Sequence, residues 1–299
     1  MRSIFIFCFL GCFLFTNAQV PKVSSGKIVH WENVSSGDIM PRNIDIWLPE
    51  GYSDKQKYAV LYMNDGQMLF DSTITWNKQE WMVDETITRL LRERKIRNVI
   101  VVGVWNNGKY RHTEYYPEKS LQYLDQAQSD DIIKSALQGK ALADEYLSFL
   151  VKVVKPRVDS SFSTINDKTE TFIMGSSMGG LISMYAMCEY PDIFGGAACL
   201  STHWPGLLNN TDPSIPQSFA NYINNKIPSP KDHKIYFDHG TAELDASYGK
   251  WQVMIDELMG IKGYAPGNYA TRVFNGENHS ERAWAKRLSI PLVFLLGIK

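Results

Sequence analysis

The chain has 299 residues, which suits one large α/β domain or two small ones. Its 44% hydrophobic and 21% charged fractions are those of an ordinary soluble globular protein. A formal net charge of −1 with scattered basic residues excludes an electrostatic footprint for nucleic acid or for an anionic membrane. Aromatic residues are abundant, 12% with 8 Trp and 15 Tyr, which fits either a large core with aromatic rims or a cleft lined for sugars or aryl groups.

The N-terminus reads as a targeting segment. Arg2 supplies a positive start, Ile4 to Phe15 is a nearly unbroken apolar run, and Thr16-Asn17-Ala18 offers a cleavage site after Ala18. The run is shorter than the roughly 20 residues that span a bilayer, so a signal peptide over residues 1–18 is expected, with a secreted or periplasmic mature chain. Leu10-Gly11-Cys12 resembles part of a lipobox, but Phe9 fits poorly upstream and the apolar run continues past Cys12. The mature chain keeps two cysteines, Cys188 in a predicted helix and Cys199 in a predicted strand, and both are expected to be buried thiols.

Lys27 to Trp31 and Asn43 to Leu48 alternate apolar and polar, the period of half-buried strands, and Pro49-Glu50-Gly51-Tyr52 ends the second. Tyr58 to Met63 reads as a buried strand, Glu80 to Lys95 as a helix and Asn98 to Val104 as the clearest buried strand. Ala141 to Val158 predicts an amphipathic helix that breaks at Pro156. Strand Thr171–Met174, helix Gly179–Glu189 and strand Gly196–Leu200 follow. Residues 205–230, rich in Asn, Pro and Ser, read as an irregular insertion or cap. Strand Lys234–Asp238, helix Gln252–Gly263, strand Tyr269–Phe274 and helix Trp284–Leu296 complete the chain. The alternation predicts a mostly parallel sheet with helices on both faces and an antiparallel leading edge, in one domain over 19–299.

Gly175-Ser176-Ser177-Met178-Gly179 matches G-x-S-x-G between a predicted strand and a predicted helix. That is the setting in which a sharp turn lifts a serine above the sheet of an α/β-hydrolase fold. Small neighbours let the backbone close, and the helix N-terminus favours developing negative charge. A serine hydroxyl needs a base, and the fold's order is serine, acid, histidine. Of the histidines after Ser177, His279 lies just past the last strand, where the base belongs. His233 precedes its strand, at the wrong edge. His203 and His239 follow strands at the right edge and are candidates to line the pocket. The acid is expected in Asp238-His239-Gly240-Thr241-Ala242-Glu243-Leu244-Asp245, with Glu243 and Asp245 as rivals and Asp238 third because it is nearly in the strand. The oxyanion hole is expected from the amides of Met178 and Gln67, with Gly66 letting the loop backbone come close.

These stretches resemble the esterase family of α/β-hydrolases that includes enterochelin-type esterases, feruloyl esterases, acetyl xylan esterases and mycolyltransferase antigens. The similarity is carried by Val60-Leu61-Tyr62-Met63-Asn64-Asp65-Gly66-Gln67, Val101-Val102-Gly103-Val104 with Arg111 and Glu114-Tyr115, Gly175 to Gly180, Asp238-His239-Gly240-Thr241 with Leu244-Asp245, and Glu277-Asn278-His279 with Trp284. The resemblance implies a Ser–acid–His triad at Ser177 and His279, without metal or cofactor, and tips the acid to Asp245 over Glu243. It implies that Arg111, Glu114 and Tyr115 are loop residues near the site, as substrate contacts or as a salt bridge and packing under the loop. Within the family, acetyl or feruloyl esters of polysaccharides and siderophore esters are the expected substrates. His203 and Trp204 are candidate substrate contacts, and Trp76, Trp81 and Trp204 lie near predicted loop ends suited to sugar stacking. An acyltransferase with the same triad and a non-catalytic binding protein on a hydrolase scaffold are the alternatives.

Overall fold

The computed structural model describes residues 19–298; the predicted signal segment lies outside them. Eight strands form one sheet: β1 Lys27–Val34, β2 Arg42–Leu48, β3 Ala59–Asn64, β4 Val99–Val104, β5 Thr171–Ser176, β6 Gly196–Leu200, β7 Lys234–Gly240 and β8 Tyr269–Phe274. Their spatial order is β1-β2-β4-β3-β5-β6-β7-β8. β2 pairs antiparallel with β1 and β4, and every pair from β4 to β8 is parallel. This is the expected α/β-hydrolase arrangement with an antiparallel leading edge. Interior strands β3 to β7 are almost wholly buried, as continuous apolar runs require when helices cover both faces. β2 alternates in sequence yet is also almost wholly buried, because β1 and β4 flank it and helices cover it. The edges β1 and β8 stay largely open.

Among the described residues there are ten α-helical segments: α1 Val83–Arg92, α2 Arg111–Tyr115, α3 Gln126–Asp131, α4 Ala143–Phe149, α5 Lys155–Ser161, α6 Met178–Glu189, α7 Ser214–Lys226, α8 Gly249–Ile261, α9 Glu281–Arg287 and α10 Ser289–Leu296. One apolar cluster joins α4 to α8 to one face of the sheet, and a second joins α1, α9 and α10 to the other. Among the described residues no helix is long and apolar enough to cross a membrane.

Three expectations need correction. Residues 205–230 are not irregular throughout: they contain α7, whose Ile215, Phe219, Ala220, Tyr222 and Ile223 are buried at helical spacing. Pro216 sits in its first turn, where a missing N–H is harmless. The helix at Pro156 does not break. It runs from Ala143 to Ser161 through a wide turn at Leu150–Val154, after which Pro156 occupies the first turn of α5. The last helix is two, α9 and α10, meeting at Leu288 ahead of Pro291.

The antiparallel side of the sheet is fastened to the α2 segment by a buried ion pair. Arg42 of β2 donates to both oxygens of Glu114 in α2 at 2.8 and 2.6 Å, and its guanidinium lies 5.3 Å from the Tyr146 ring centre. Both side chains are 1% exposed. Arg42→Met therefore strands a carboxylate in an apolar setting and is expected to lower the unfolding free energy by about 3–5 kcal/mol, while Arg42→Met with Glu114→Leu recovers most of it. Urea unfolding of the two variants beside the parent checks this.

Candidate active site

The C-terminal ends of the parallel strands carry the polar residues, as in other open α/β sheets. Ser177 follows β5 with φ 58° and ψ −123°, a strained conformation for any residue with a side chain. The turn is fixed from both sides: the Ser177 amide donates to Leu200 O at 2.9 Å, and the Gly180 amide donates to Ser177 O at 3.0 Å. Gly175 is required by close approach, since a Cβ there would lie 2.6 Å from Gly179 O. Met178 opens α6, so its amide has no acceptor inside the helix.

His279 and Ser177 line the same cleft, about 730 Å³ in volume. Imidazole Nδ1 of His279 lies 2.6 Å from Asp245 Oδ1, and the ring stands edgewise between Trp284, 5.0 Å away, and Tyr248, 5.8 Å away. Asp245 is fully buried; its Oδ2 accepts from the Gly240 amide at 2.7 Å and the Ser201 hydroxyl at 2.5 Å. Burial pushes this carboxyl up, but the hydrogen bond and charge of His279 with the Ser201 and Gly240 donors outweigh it and hold the group below its ordinary value. Glu243, the rival acid, is exposed with φ 52° and accepts from Asn278 Nδ2 at 3.2 Å rather than from His279. Asp238 is buried in an ion pair with Arg287 at 2.9 Å. Geometry thus brings His279 to Asp245 and to neither other carboxylate.

The loop after β3 closes the opposite side. Asp65 has φ 60° and accepts two hydrogen bonds from Arg111, Nε at 2.7 Å and Nη2 at 2.8 Å, and one from Asn106 Nδ2 at 2.7 Å. Tyr115 OH accepts from the Asp65 amide at 3.3 Å. Gln67 follows within a single 3₁₀ turn, Gly66–Met68, and lines the cleft. Its side chain accepts from the Asn106 amide at 3.1 Å. Gly66, expected near substrate, is buried instead: a Cβ there would lie 2.4 Å from Gly103 C, so the glycine lets the loop sit on β4. Arg111 both pairs with Asp65 and lines the cleft, while Glu114 pairs with Arg42.

Two candidate substrate contacts are placed elsewhere. Trp204 is 1% exposed, donates to Gln252 Oε1 at 2.9 Å and packs on Phe237. His203 is 2% exposed and shares a 2.6 Å hydrogen bond with Tyr248 OH. Burial, with His279 and His112 nearby, pushes the His203 imidazole down to about 3, so it is neutral at ordinary pH. His239 is buried beside α8, with Nδ1 2.6 Å from Gly240 O. None of these three lines the cleft, because the strand ends that carry them turn under α8. Trp76 does line it and is 83% exposed; Trp81 lines it from a buried position against Trp284. Sequence reasoning missed Tyr248, Ser201 and Arg287. Ser201 had a usable signal, its place directly after β6. Trp284 and Arg287 are three apart on α9, one face of a helix. Cys188 and Cys199 are buried, and they form no disulfide. Among the described residues no group of three or more His, Cys, Asp and Glu is disposed to hold a metal ion.

Known proteins share this architecture. The Bacillus subtilis (strain 168) uncharacterized protein YbbA is 24% identical over 264 residues, 86% of this chain and 93% of its own. A ferulic acid esterase structure superposes with a TM-score of 0.65 at 18% identity, over 90% of this chain and 98% of that one. The enterobactin esterase FES of Shigella flexneri superposes with a TM-score of 0.65 at 15% identity, over 92% of this chain and 60% of that one. At such identities the superpositions speak for the fold. The family profile described as "Putative esterase" matches residues 40–294. With a match of that extent the chain belongs to this esterase family, and it is a hydrolase of carboxylic esters on the α/β-hydrolase fold.

Proposed function

We propose that the protein is an exported serine esterase that cleaves esters of neutral, hydroxyl-rich alcohols such as glycans, with Ser177 as nucleophile, His279 as base and Asp245 as acid. The observation that carries this reading is a strained-turn serine sharing one cleft with a histidine bound to a buried carboxylate. His279 takes the Ser177 proton as the hydroxyl oxygen attacks the ester carbonyl. The amides of Met178 and Gln67 hold the oxyanion, and the alcohol leaves with the proton from His279. Water then adds to the acyl-enzyme as His279 takes its proton; the adduct collapses, His279 returns that proton to the Ser177 oxygen, and the acid leaves. The apolar run ahead of Ala18 supports export.

The cleft's chemistry supports the alcohol. Its charged residues are Asp65, Arg111, Glu243 and Glu281, and the one guanidinium is already paired with Asp65. Among the described residues that line the cleft no unpaired cation meets an anionic substrate, and the remaining carboxylates repel one. Amides of Gln67, Asn77, Gln79, Asn106 and Asn278 offer donors and acceptors for hydroxyl groups, and exposed Trp76 offers a flat apolar face at the rim.

Hydrolysis of 4-nitrophenyl acetate and methyl ferulate by the mature protein tests the reading. Ser177→Ala is expected to lower kcat at least about 10³-fold; activity that survives it removes Ser177 from the role. Asp245→Asn should lower kcat by about 10³–10⁴-fold, and Glu243→Gln by no more than about threefold; the reverse order makes Glu243 the acid. Trp76→Ala is expected to raise KM for a feruloylated neutral oligosaccharide about fivefold and leave that for 4-nitrophenyl acetate within about twofold. Equal effects on both substrates would count against a sugar platform at Trp76.

A further inference from the structure

Beneath Asp245 lies a buried chain of polar groups that hydrolysis as described does not use. Ser201 follows β6 with its hydroxyl 2.5 Å from Asp245 Oδ2. Two donors reach the same oxygen from α9: Trp284 Nε1 at 3.0 Å and Arg287 Nη2 at 2.9 Å. A hydroxyl has one proton and two lone pairs. Indole and guanidinium nitrogens can only donate, so both lone pairs are taken. The proton has one acceptor left, Asp245 Oδ2. Neither the direction of this hydrogen bond nor the rotamer of the hydroxyl is free.

Arg287 is itself fixed. Its Nη2 and Nε donate to Asp238 Oδ1 and Oδ2 at 2.9 and 3.2 Å, and Tyr236 OH donates to Oδ2 at 3.0 Å. Asp238 is fully buried, Arg287 is 2% exposed and Ser201 is fully buried, so solvent does not screen the chain. The Ser201 amide donates to Asp238 O at 2.8 Å, which fastens β6 to β7 at this level.

Backbone strain points the same way. Ser201 has φ 42°, in the left-handed region that glycine adopts freely and serine adopts at a penalty. A residue there for its backbone alone would be better as glycine. The side chain is what the position uses.

We propose that Ser201 is a positioning residue of the catalytic apparatus: its proton, directed by Trp284 and Arg287, locks the Asp245 carboxylate in the rotamer that presents Oδ1 to His279. The inference rests on the assignment of Asp245 and His279 as acid and base. Its function is conformational: with Oδ2 held by Ser201 and the Gly240 amide, Oδ1 stays aimed at Nδ1 through both transfers of the proton. Asp238 and Arg287 neutralise each other, so they orient Ser201 without adding net charge next to the triad.

Ser201→Gly removes the hydroxyl and relieves the strained backbone, whereas Ser201→Ala removes the hydroxyl and keeps the strain. Two readouts are taken on the full mature chain. One is kcat and KM for 4-nitrophenyl acetate. The other is the ¹H resonance of His279 Nδ1–H at neutral pH, identified by its loss in His279→Gln. Both variants are expected to lower kcat about tenfold with KM within about twofold, and both to displace or broaden the Nδ1–H resonance. A purely structural serine would leave that resonance sharp and unmoved in Ser201→Gly, and would make Ser201→Gly at least as active as the parent. Either result overturns the proposal. The resonance does not require turnover: if hydrolysis survives Ser177→Ala, the assignment of Ser177 as nucleophile falls while the Nδ1–H signal in Ser201→Gly still decides the role of Ser201.

Discussion

The buried carboxylate of Asp245 is the constraint around which this half of the molecule is arranged. A carboxylate removed from water needs donors on both oxygens, or it takes up a proton. Here four elements supply them or place the group. β7 ends in the Gly240 amide, β6 leads directly into Ser201, the loop after β8 brings His279, and α9 brings the residues that direct Ser201. Moving any of these by about an ångström would leave a charge unsatisfied in an apolar interior. The docking of α9 on the sheet and the state of the Asp245 carboxylate are thus one packing problem.

The opposite wall of the cleft is built on the same logic with the charges reversed in role. Asp65 is the member near the site, and Arg111 from α2 neutralises it with two hydrogen bonds. α2 is short, and Glu114, the partner of Arg42 in β2, is one of the groups that tie it to the sheet. An ion pair at the antiparallel edge therefore positions the helix whose arginine steadies the Gln67 loop. Buried pairs of this kind add little net stability against apolar substitutes. Their value here is that each has one satisfactory geometry, which transmits the position of β2 to the cleft.

Aromatic packing fixes what hydrogen bonds leave free. His279 has its Nδ1 tied to Asp245, but a single bond allows the ring to rock. Trp284 and Tyr248 meet it edgewise on two sides, at 84° and 86° to its plane. Tyr248 is in turn held by neutral His203. The abundance of aromatic residues noticed in the composition is thus spent mainly in the interior, and Trp76 is the clear case of one left at the rim.

Much of this was legible in the sequence because it is local. Hydrophobic runs give buried strands, G-x-S-x-G between a strand and a helix marks a strained serine turn, and chain order puts a histidine after the last strand. Short-range pattern failed where long-range packing overrode it. Residues 214–226 are helical because their apolar residues meet the core at helical spacing, despite polar neighbours and Pro216. Pro156 is tolerated because a wide turn precedes it. The choice between Glu243 and Asp245 was undecidable from spacing, since a single residue separates positions that differ only in which side of a turn faces inward. The turn residue Glu243 points outward from a left-handed backbone, and Asp245 is buried against β6. Likewise His203 and Trp204 follow a strand at the correct edge, and only the packing of α8 takes them under the sheet end and out of the cleft. The sequence by itself determined the fold, the serine turn and the histidine, because each follows from neighbours along the chain. Tertiary structure alone decided which carboxylate meets His279, the contacts of Ser201 and Arg287 and the lining of the cleft, because those depend on pairs such as His279 with Asp245 and Arg287 with Ser201, 34 and 86 positions apart.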